Sequence, residues 1–427
     1  MTGASLADLR VLEVGVFMAA PFAGMQLADL GADVVKVEPP GRGDPARQVG
    51  PYLSGESSPF VRLNRNKRSV AIDLKHDEGR AAFEHLAASA DVLLQNLRPG
   101  AMDSLGLGYP RLRELNPRLV YVSLSGWGQD GPRAMLPGLD VMAQARAGLM
   151  SITGEPGGAP AKVGVPLCDL TCGLYAALAT LAALRTRDVT GEGQHVDVSL
   201  FESAVSFGIW EAGKFFATGE IGGPLGSAHQ STAPYQAFAT ADGWVTFGAV
   251  TPRTWRAACG VLDLGEIVDD PRYAEAYERQ LLRERLVPVI EAATRRWQTD
   301  ALVAALEEAG VPCAPIANYG EVFDDEHLRA RDFFWDAPHP TLGDVRQIGS
   351  PMRLSDSPPV RRGAGPRLGA DTRDVLVGAG VQESEIDRLV TAGAIQCGEI
   401  GSATGEAGKS GSSAGLAGET TGKGGNA

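Results

Sequence analysis

The stretch Val11-Leu-Glu-Val-Gly-Val16, then Pro21–Leu30, Gly31 and Ala32-Asp-Val-Val-Lys-Val-Glu38, decides the fold. Residues 11–16 form a short apolar run of the kind found in buried strands. Pro21–Leu30 is rich in small residues and ends at a glycine, as helices commonly do. Residues 32–38 form a second strand. Two strands with a short helix between them make a βαβ unit, which implies a parallel sheet covered by helices. The pattern repeats outward: strand 70–74, helix 78–89, strand 91–95, helix 109–116, strand 119–124. Strand 194–198 and a long helix 199–218 follow.

Residues 1–218 are therefore read as one large α/β unit. The glycine-rich 219–231 opens a smaller unit, 219–330, with a hairpin over 234–249 turning at Asp242-Gly243. Helices over 253–260, 274–297 and 299–309 and a strand over 313–316 complete it. Residues 331–397 alternate proline-rich loops with short strands and end in a helix over 383–392. They lack apolar content for a core of their own and are expected to complete the large unit. Residues 398–427 are Gly, Ser, Ala, Thr and Glu, too polar to offset their ordering entropy, and are expected to be disordered. No repeat of 20–50 residues is visible.

The chain has 427 residues, 44% of them apolar, and a formal net charge of −13. No dense basic stretch interrupts that balance, so nucleic acid and anionic membrane surfaces are poor partners. The polar N-terminus has no secretory apolar core, and no uninterrupted apolar run approaches the ~20 residues of a bilayer span. The five cysteines at 168, 172, 259, 313 and 397 are scattered and form no Cys-x-x-Cys pair. They read as reduced thiols of a cytoplasmic protein, with no metal expected.

The βαβ start invites a dinucleotide, and Glu38 even ends the second strand. The turn, however, runs Gly15-Val-Phe-Met-Ala-Ala and lacks the glycines that let a pyrophosphate approach. No P-loop is present, and Ser123-Leu-Ser125-Gly126 lacks the nucleophile elbow of serine hydrolases. The six histidines are isolated. His195 reads as a packed core histidine, and His229 as a substrate-pocket candidate. Asp169 stands out, directly before an expected small-residue helix over 170–187. A carboxylate there either caps the helix or serves as a nucleophile whose charge the first-turn amides and the helix dipole hold.

Seven co-ordered stretches weigh between those two roles: Val11-Leu-Glu-Val with Ala20-Pro-Phe-Ala-Gly; Leu30-Gly-Ala-Asp-Val-Val-Lys-Val-Glu38 with Gly43-Asp44; Asn66-Lys-Arg-Ser69 with Asp73-Leu-Lys75; Asn96-Leu-Arg-Pro-Gly100 with Leu105-Gly106; Ser125-Gly-Trp-Gly128; Asp169; and Thr190-Gly-Glu-Gly-Gln194. Over residues 6–395 the chain resembles the class III coenzyme A transferases, the family of formyl-CoA transferase, carnitine CoA-transferase and the α-methylacyl-CoA racemases. The resemblance implies a large Rossmann-like domain built from both chain ends, a small middle domain, and two subunits interlocked as a homodimer. It implies that Asp169 is the covalent nucleophile and that acyl-CoA and a carboxylic acid are the substrates, with no tightly bound cofactor. It places Met18 and Ala19 near the thioester, and Ile72, Lys75, Asn96, Leu97 and Arg98 with the rest of CoA. The phosphates of CoA need fixed cations, and Arg42 and Arg47 are candidates for that beside Lys75 and Arg98.

The chain also departs from the pattern. It has no glutamine near Met18 and no arginine near Ser104, which argues against formate or oxalate. The mobile glycine tetrad of formyl-CoA transferases has only Gly222, Gly223 and Gly226 to stand for it. Where the racemases carry Gly-His-Asp, this chain has Gly138-Leu139-Asp140. Leucine exchanges no proton, and two-base racemisation needs two bases. A transferase is therefore the favoured reading, with a racemase and a non-catalytic CoA-binding subunit as alternatives.

Overall fold

The computed structural model describes residues 3–398. Its centre is a seven-stranded sheet in the order Ile395–Gln396, Arg68–Ile72, Asp33–Glu38, Arg10–Val14, Val92–Gln95, Val120–Ser125, His195–Ser199. Six strands are parallel, and the C-terminal pair Ile395–Gln396 runs antiparallel against Arg68–Ile72. Side chains alternate between the faces because the strand period is two. Val11, Val34, Val92 and Val122 point into one core, covered by helices Ala19–Asp29 and Leu167–Thr190. Leu12, Val35, Leu93 and Tyr121 point into the other, covered by helices including Asp77–Ala87 and Glu383–Thr391. Burial on both faces explains why these strands read as near-continuous apolar runs.

Strand order reverses at Arg10–Val14: later strands are added first to one side, then to the other. In such sheets a crevice opens beyond the carboxyl ends of the strands at that switch point. Here it lies between the loop after Val14 and the loop after Gln95.

A separate three-stranded antiparallel sheet, Cys313–Pro315, Trp244–Gly248 and Tyr235–Ala239, has its own core around Phe238, Phe247, Trp255 and Ile290. A hairpin of Phe334–His339 with Gly343–Ile348 packs through Trp335 and Ala337 on Phe60 and Val61.

Several elements differ from the sequence expectations. The long helix spans Leu167–Thr190, so Asp169 sits inside its first turn rather than before it. That helix has an 18-residue window of mean hydropathy 1.7, long and apolar enough to cross a membrane. Half of the window is buried in the protein against helix Ala19–Asp29, which explains its composition without a bilayer. The expected helix 199–218 is two, Leu200–Val205 and Ile209–Thr218, separated at Ser206–Gly208. The expected helix 274–297 is likewise broken, into Ala276–Leu281 and Arg283–Thr294. The tail expected to be disordered lies outside the described residues, save Gly398.

Candidate active site

A cavity of about 700 Å³ occupies the switch point. Its walls come from the loop Val16–Ala19, from Asn96, from Leu124–Gly126 at the end of strand Val120–Ser125, and from Gly138–Val141. Lys162, Gly164, Pro166 and Asp169 close it, with Val49, Phe60, Leu63 and Leu200 as apolar wall.

The loop after the first strand is held from two sides. Asn96 Oδ1 accepts from the Val16 amide and its Nδ2 donates to the Val16 carbonyl, both at 2.9 Å. Asp44 Oδ1 accepts from the Phe17 amide at 3.1 Å. Phe17 is thereby kept at φ 55°, a left-handed conformation that a bulky side chain seldom adopts. Helix Ala19–Asp29 starts from this loop with no side-chain cap, and Pro21 brings no N–H, so the amides at its start are left facing the loop.

Beneath the loop lies a quartet of charges with fully buried side chains. Lys36 Nζ contacts Glu13 Oε1 at 3.0 Å and Asp44 Oδ2 at 2.9 Å, and donates to the Gly15 carbonyl at 2.7 Å. Lys67 Nζ contacts the other Glu13 oxygen at 2.7 Å. Burial pushes the Glu13 carboxyl up, but Lys67 and Lys36 outweigh it and hold it below its ordinary value. Burial pulls Lys67 down to about 8, with Glu13 opposing.

Asp169 is half-buried and lines the cavity. Its carboxyl is raised to about 7, first by burial and then by the negative charge of Asp140. The expectation that first-turn amides hold its charge is not met. Asp140 Oδ1 accepts from the amides of Cys168 (2.7 Å) and Asp169 (3.2 Å). The Leu167 amide donates to Val165 O and the Leu170 amide to Pro166 O. The Leu170 bond is the helix's first regular one and Pro166 has no N–H, so all three orphan donors of this helix start, Leu167, Cys168 and Asp169, are taken. Asp140 Oδ2 accepts from Gln144 Nε2 at 2.6 Å, and Gln144 Oε1 accepts from the Val163 amide at 2.9 Å. The thiols beside Asp169 are neutral near pH 7: burial pushes Cys168 up to about 12 and raises Cys172 as well. The two helix starts therefore differ, one filled by Asp140 and the other open. They pack closely because Gly173 has no side chain; a Cβ there would meet the Ala19 carbonyl at 2.8 Å.

Of the residues singled out in the sequence, Met18, Ala19, Asn96, Leu139, Asp140 and Asp169 line this one cavity. Leu97 follows Asn96, with its amide on Gln95 Oε1. Arg42, Lys75 and Arg98 are exposed and outside its lining. Ile72 is in the sheet core, paired with Ile395. Arg47 is not a free phosphate cation: it forms two 2.7 Å bonds to Glu38 and lies 3.9 Å over the Phe60 ring. His229 stacks on Tyr235, and its Nδ1 is engaged by Ser231 and Thr232. Gly222 abuts Glu211, and Gly223 faces open space. Neither glycine nor His229 lines the cavity. His195 is on an exposed edge strand, not in a core, stacked on Tyr109 and bonded to Ser123. Sequence reasoning gave no role to Gln144, Lys162, Asp44 or Lys67; for the last two only their place in quoted stretches signalled them.

The open α/β sheet thus carries a partly apolar crevice at its switch point, lined by the half-buried carboxyl of Asp169. The match is specific: residues 6–372 fit CoA-transferase family III, and the chain belongs to that family. It is 35% identical to succinyl-CoA:glutarate CoA-transferase of Mus musculus over 92% of this chain and 90% of the relative. It is 37% identical to succinyl-CoA:mesaconate CoA-transferase of Haloarcula hispanica over 88% of this chain and 97% of the relative. The crystal structure of a CAIB/BAIF family protein from Brucella suis superposes with a TM-score of 0.80 at 34% identity, covering 88% of this chain and all of that one. The chain is an enzyme that transfers CoA from an acyl-CoA thioester to a carboxylic acid.

Proposed function

We propose that Asp169 carries this transfer covalently and that the acceptor is a short dicarboxylic acid. The observation that carries the reading is the half-buried carboxyl of Asp169, raised to about 7, in the cavity at the switch point. The Asp169 carboxylate attacks the thioester carbonyl, giving a mixed anhydride and CoA thiolate. The thiolate attacks the aspartyl carbonyl, giving an aspartyl-CoA thioester and releasing the donor acid. The acceptor carboxylate attacks that thioester, and the freed thiolate then attacks the acceptor carbonyl of the new anhydride. Acceptor-CoA leaves and the Asp169 carboxylate is restored. Splitting one exchange into such steps is what covalent catalysis supplies. Each step passes through an oxyanion, and the open start of helix Ala19–Asp29 supports amide donation from the Met18–Ala20 side.

The cavity suits the thioester end of CoA between Met18, Ala19 and Asn96. Arg42, Lys75 and Arg98, exposed nearby in sequence to the strand ends, suit its phosphates, with Leu97 and the backbone of Ile72 between them. His229, Gly222 and Gly223 are kept for the acceptor side only if a second subunit brings them there. A homodimer is part of the same reading, supported by large exposed apolar side chains on neighbouring helices, among them Leu178, Trp210 and Phe216. So are a cytoplasmic location and the division into 1–218, 219–330 and 331–397. The dicarboxylic acceptor is supported by the succinyl, glutarate and mesaconate groups in the relatives' names.

Since only the ionised carboxylate attacks, kcat/KM should rise with pH through about 7 and then level off. Asp140→Asn keeps an oxygen for the helix amides but removes the charge that helps raise Asp169, so its profile should move to lower pH. A wild-type rate flat from well below to well above neutrality would contradict the reading.

A further inference from the structure

We propose that Lys162 forms a subsite for the distal carboxylate of the acceptor, making this enzyme selective for dicarboxylic over monocarboxylic acids. The inference rests on the Asp169-centred reading above.

The cavity holds two carboxylates, Asp140 and Asp169, and the acceptor enters as an anion. Among the described residues lining it, Lys162 is the one cation. The other basic residues near it are committed: Lys36 and Lys67 to Glu13 and Asp44, and Arg47 to Glu38. Lys162 is not. Its exposed ammonium donates only to the carbonyls of its own loop, Val163 at 3.1 Å and Gly164 at 3.4 Å. An ammonium has three N–H donors, so one is left over, and of the two in use the one to Gly164 is long.

The position of the lysine is also built. The amide of the next residue, Val163, is clamped to the side chain of Gln144, which is fully buried. The other end of that amide side chain holds Asp140, whose carboxylate holds the backbone of Asp169. One buried side chain thus ties the loop carrying the cation to the element carrying the nucleophile. The rest of the cavity wall is largely apolar, with Phe60, Leu63, Leu139 and Val141 among its residues. Such a wall suits a methylene spacer with a charge at each end: one carboxylate at Asp169, the other at Lys162. A monocarboxylic acid fills the same wall but leaves the ammonium unpaired.

The test uses butyryl-CoA as donor, which has no distal carboxylate, and compares glutarate with valerate, acids of equal chain length. In the wild type kcat/KM should favour glutarate. Lys162→Met, which keeps the stem and removes the charge, should lower the glutarate-to-valerate ratio by about 10- to 100-fold, the range of a charge-assisted hydrogen bond. Lys162→Arg should restore most of it. An unchanged ratio, equal losses for both acids, or a wild type that prefers valerate would each overturn the proposal. Labelling of wild-type Asp169 by succinyl-CoA alone, whose acyl group does carry a distal carboxylate, is measured alongside. Labelling with an unchanged ratio removes only the subsite, whereas absence of labelling removes the covalent reading itself.

Discussion

Asp169→Ala should lower CoA exchange by a factor on the order of 10⁴–10⁶, the scale seen when a covalent enzyme loses its nucleophile. No neighbouring group substitutes for it. Asp140 is the nearest acid, but three hydrogen bonds occupy its oxygens. Cys168 and Cys172 are buried and held protonated. The fold should survive, because Asp169 makes no side-chain cap on its helix. Removing a half-buried carboxyl raised by burial relieves a cost rather than breaking a bond. Calorimetric binding of CoA should therefore persist within a few-fold of wild type while turnover disappears. Activity retained at a tenth of wild type would rule out the covalent role.

The second large effect concerns stability. Lys36→Met should destabilise the protein by about 3–5 kcal/mol, the range for removing one partner of a buried charge cluster. Glu13 and Asp44 would then share one cation, Lys67, in a site closed to water. The Gly15 carbonyl would lose its donor too, loosening the loop that shapes the cavity. Urea unfolding at fixed protein concentration reads this directly, since association also contributes to apparent stability. A shift below about 1 kcal/mol would mean that Glu13 accommodates the loss, for instance by taking a proton.

The large sheet was legible because burial on both faces forces valine- and leucine-rich runs, and 11–16, 32–38 and 119–124 are such runs despite the buried charges Glu13, Lys36 and Glu38. Asp169 was legible as a residue, but its setting was not. The group that fills its helix start, Asp140, lies 29 residues earlier in the chain, and no local pattern announces that contact. The same holds for Arg47, an apparently free cation whose Glu38 partner is set by the turn Pro39–Asp44. Helix breaks at Ser206–Gly208 and Leu282 escaped notice because the apolar periodicity continues across them. Lys162 carries no signal as a lone lysine in a loop until the fold shows that it borders a cavity whose other charged groups are Asp140 and Asp169.

The central claim is that Asp169 is acylated in each turnover, and covalent trapping tests it most directly. The wild-type enzyme is incubated with acyl-CoA and no acceptor, quenched with hydroxylamine and digested, and the peptides are read by mass spectrometry. The account predicts an aspartyl hydroxamate at Asp169 that is absent when acyl-CoA is omitted. Consumption of acyl-CoA in full exchange by the same preparation, with Asp169 recovered only as the free carboxylate, would contradict it.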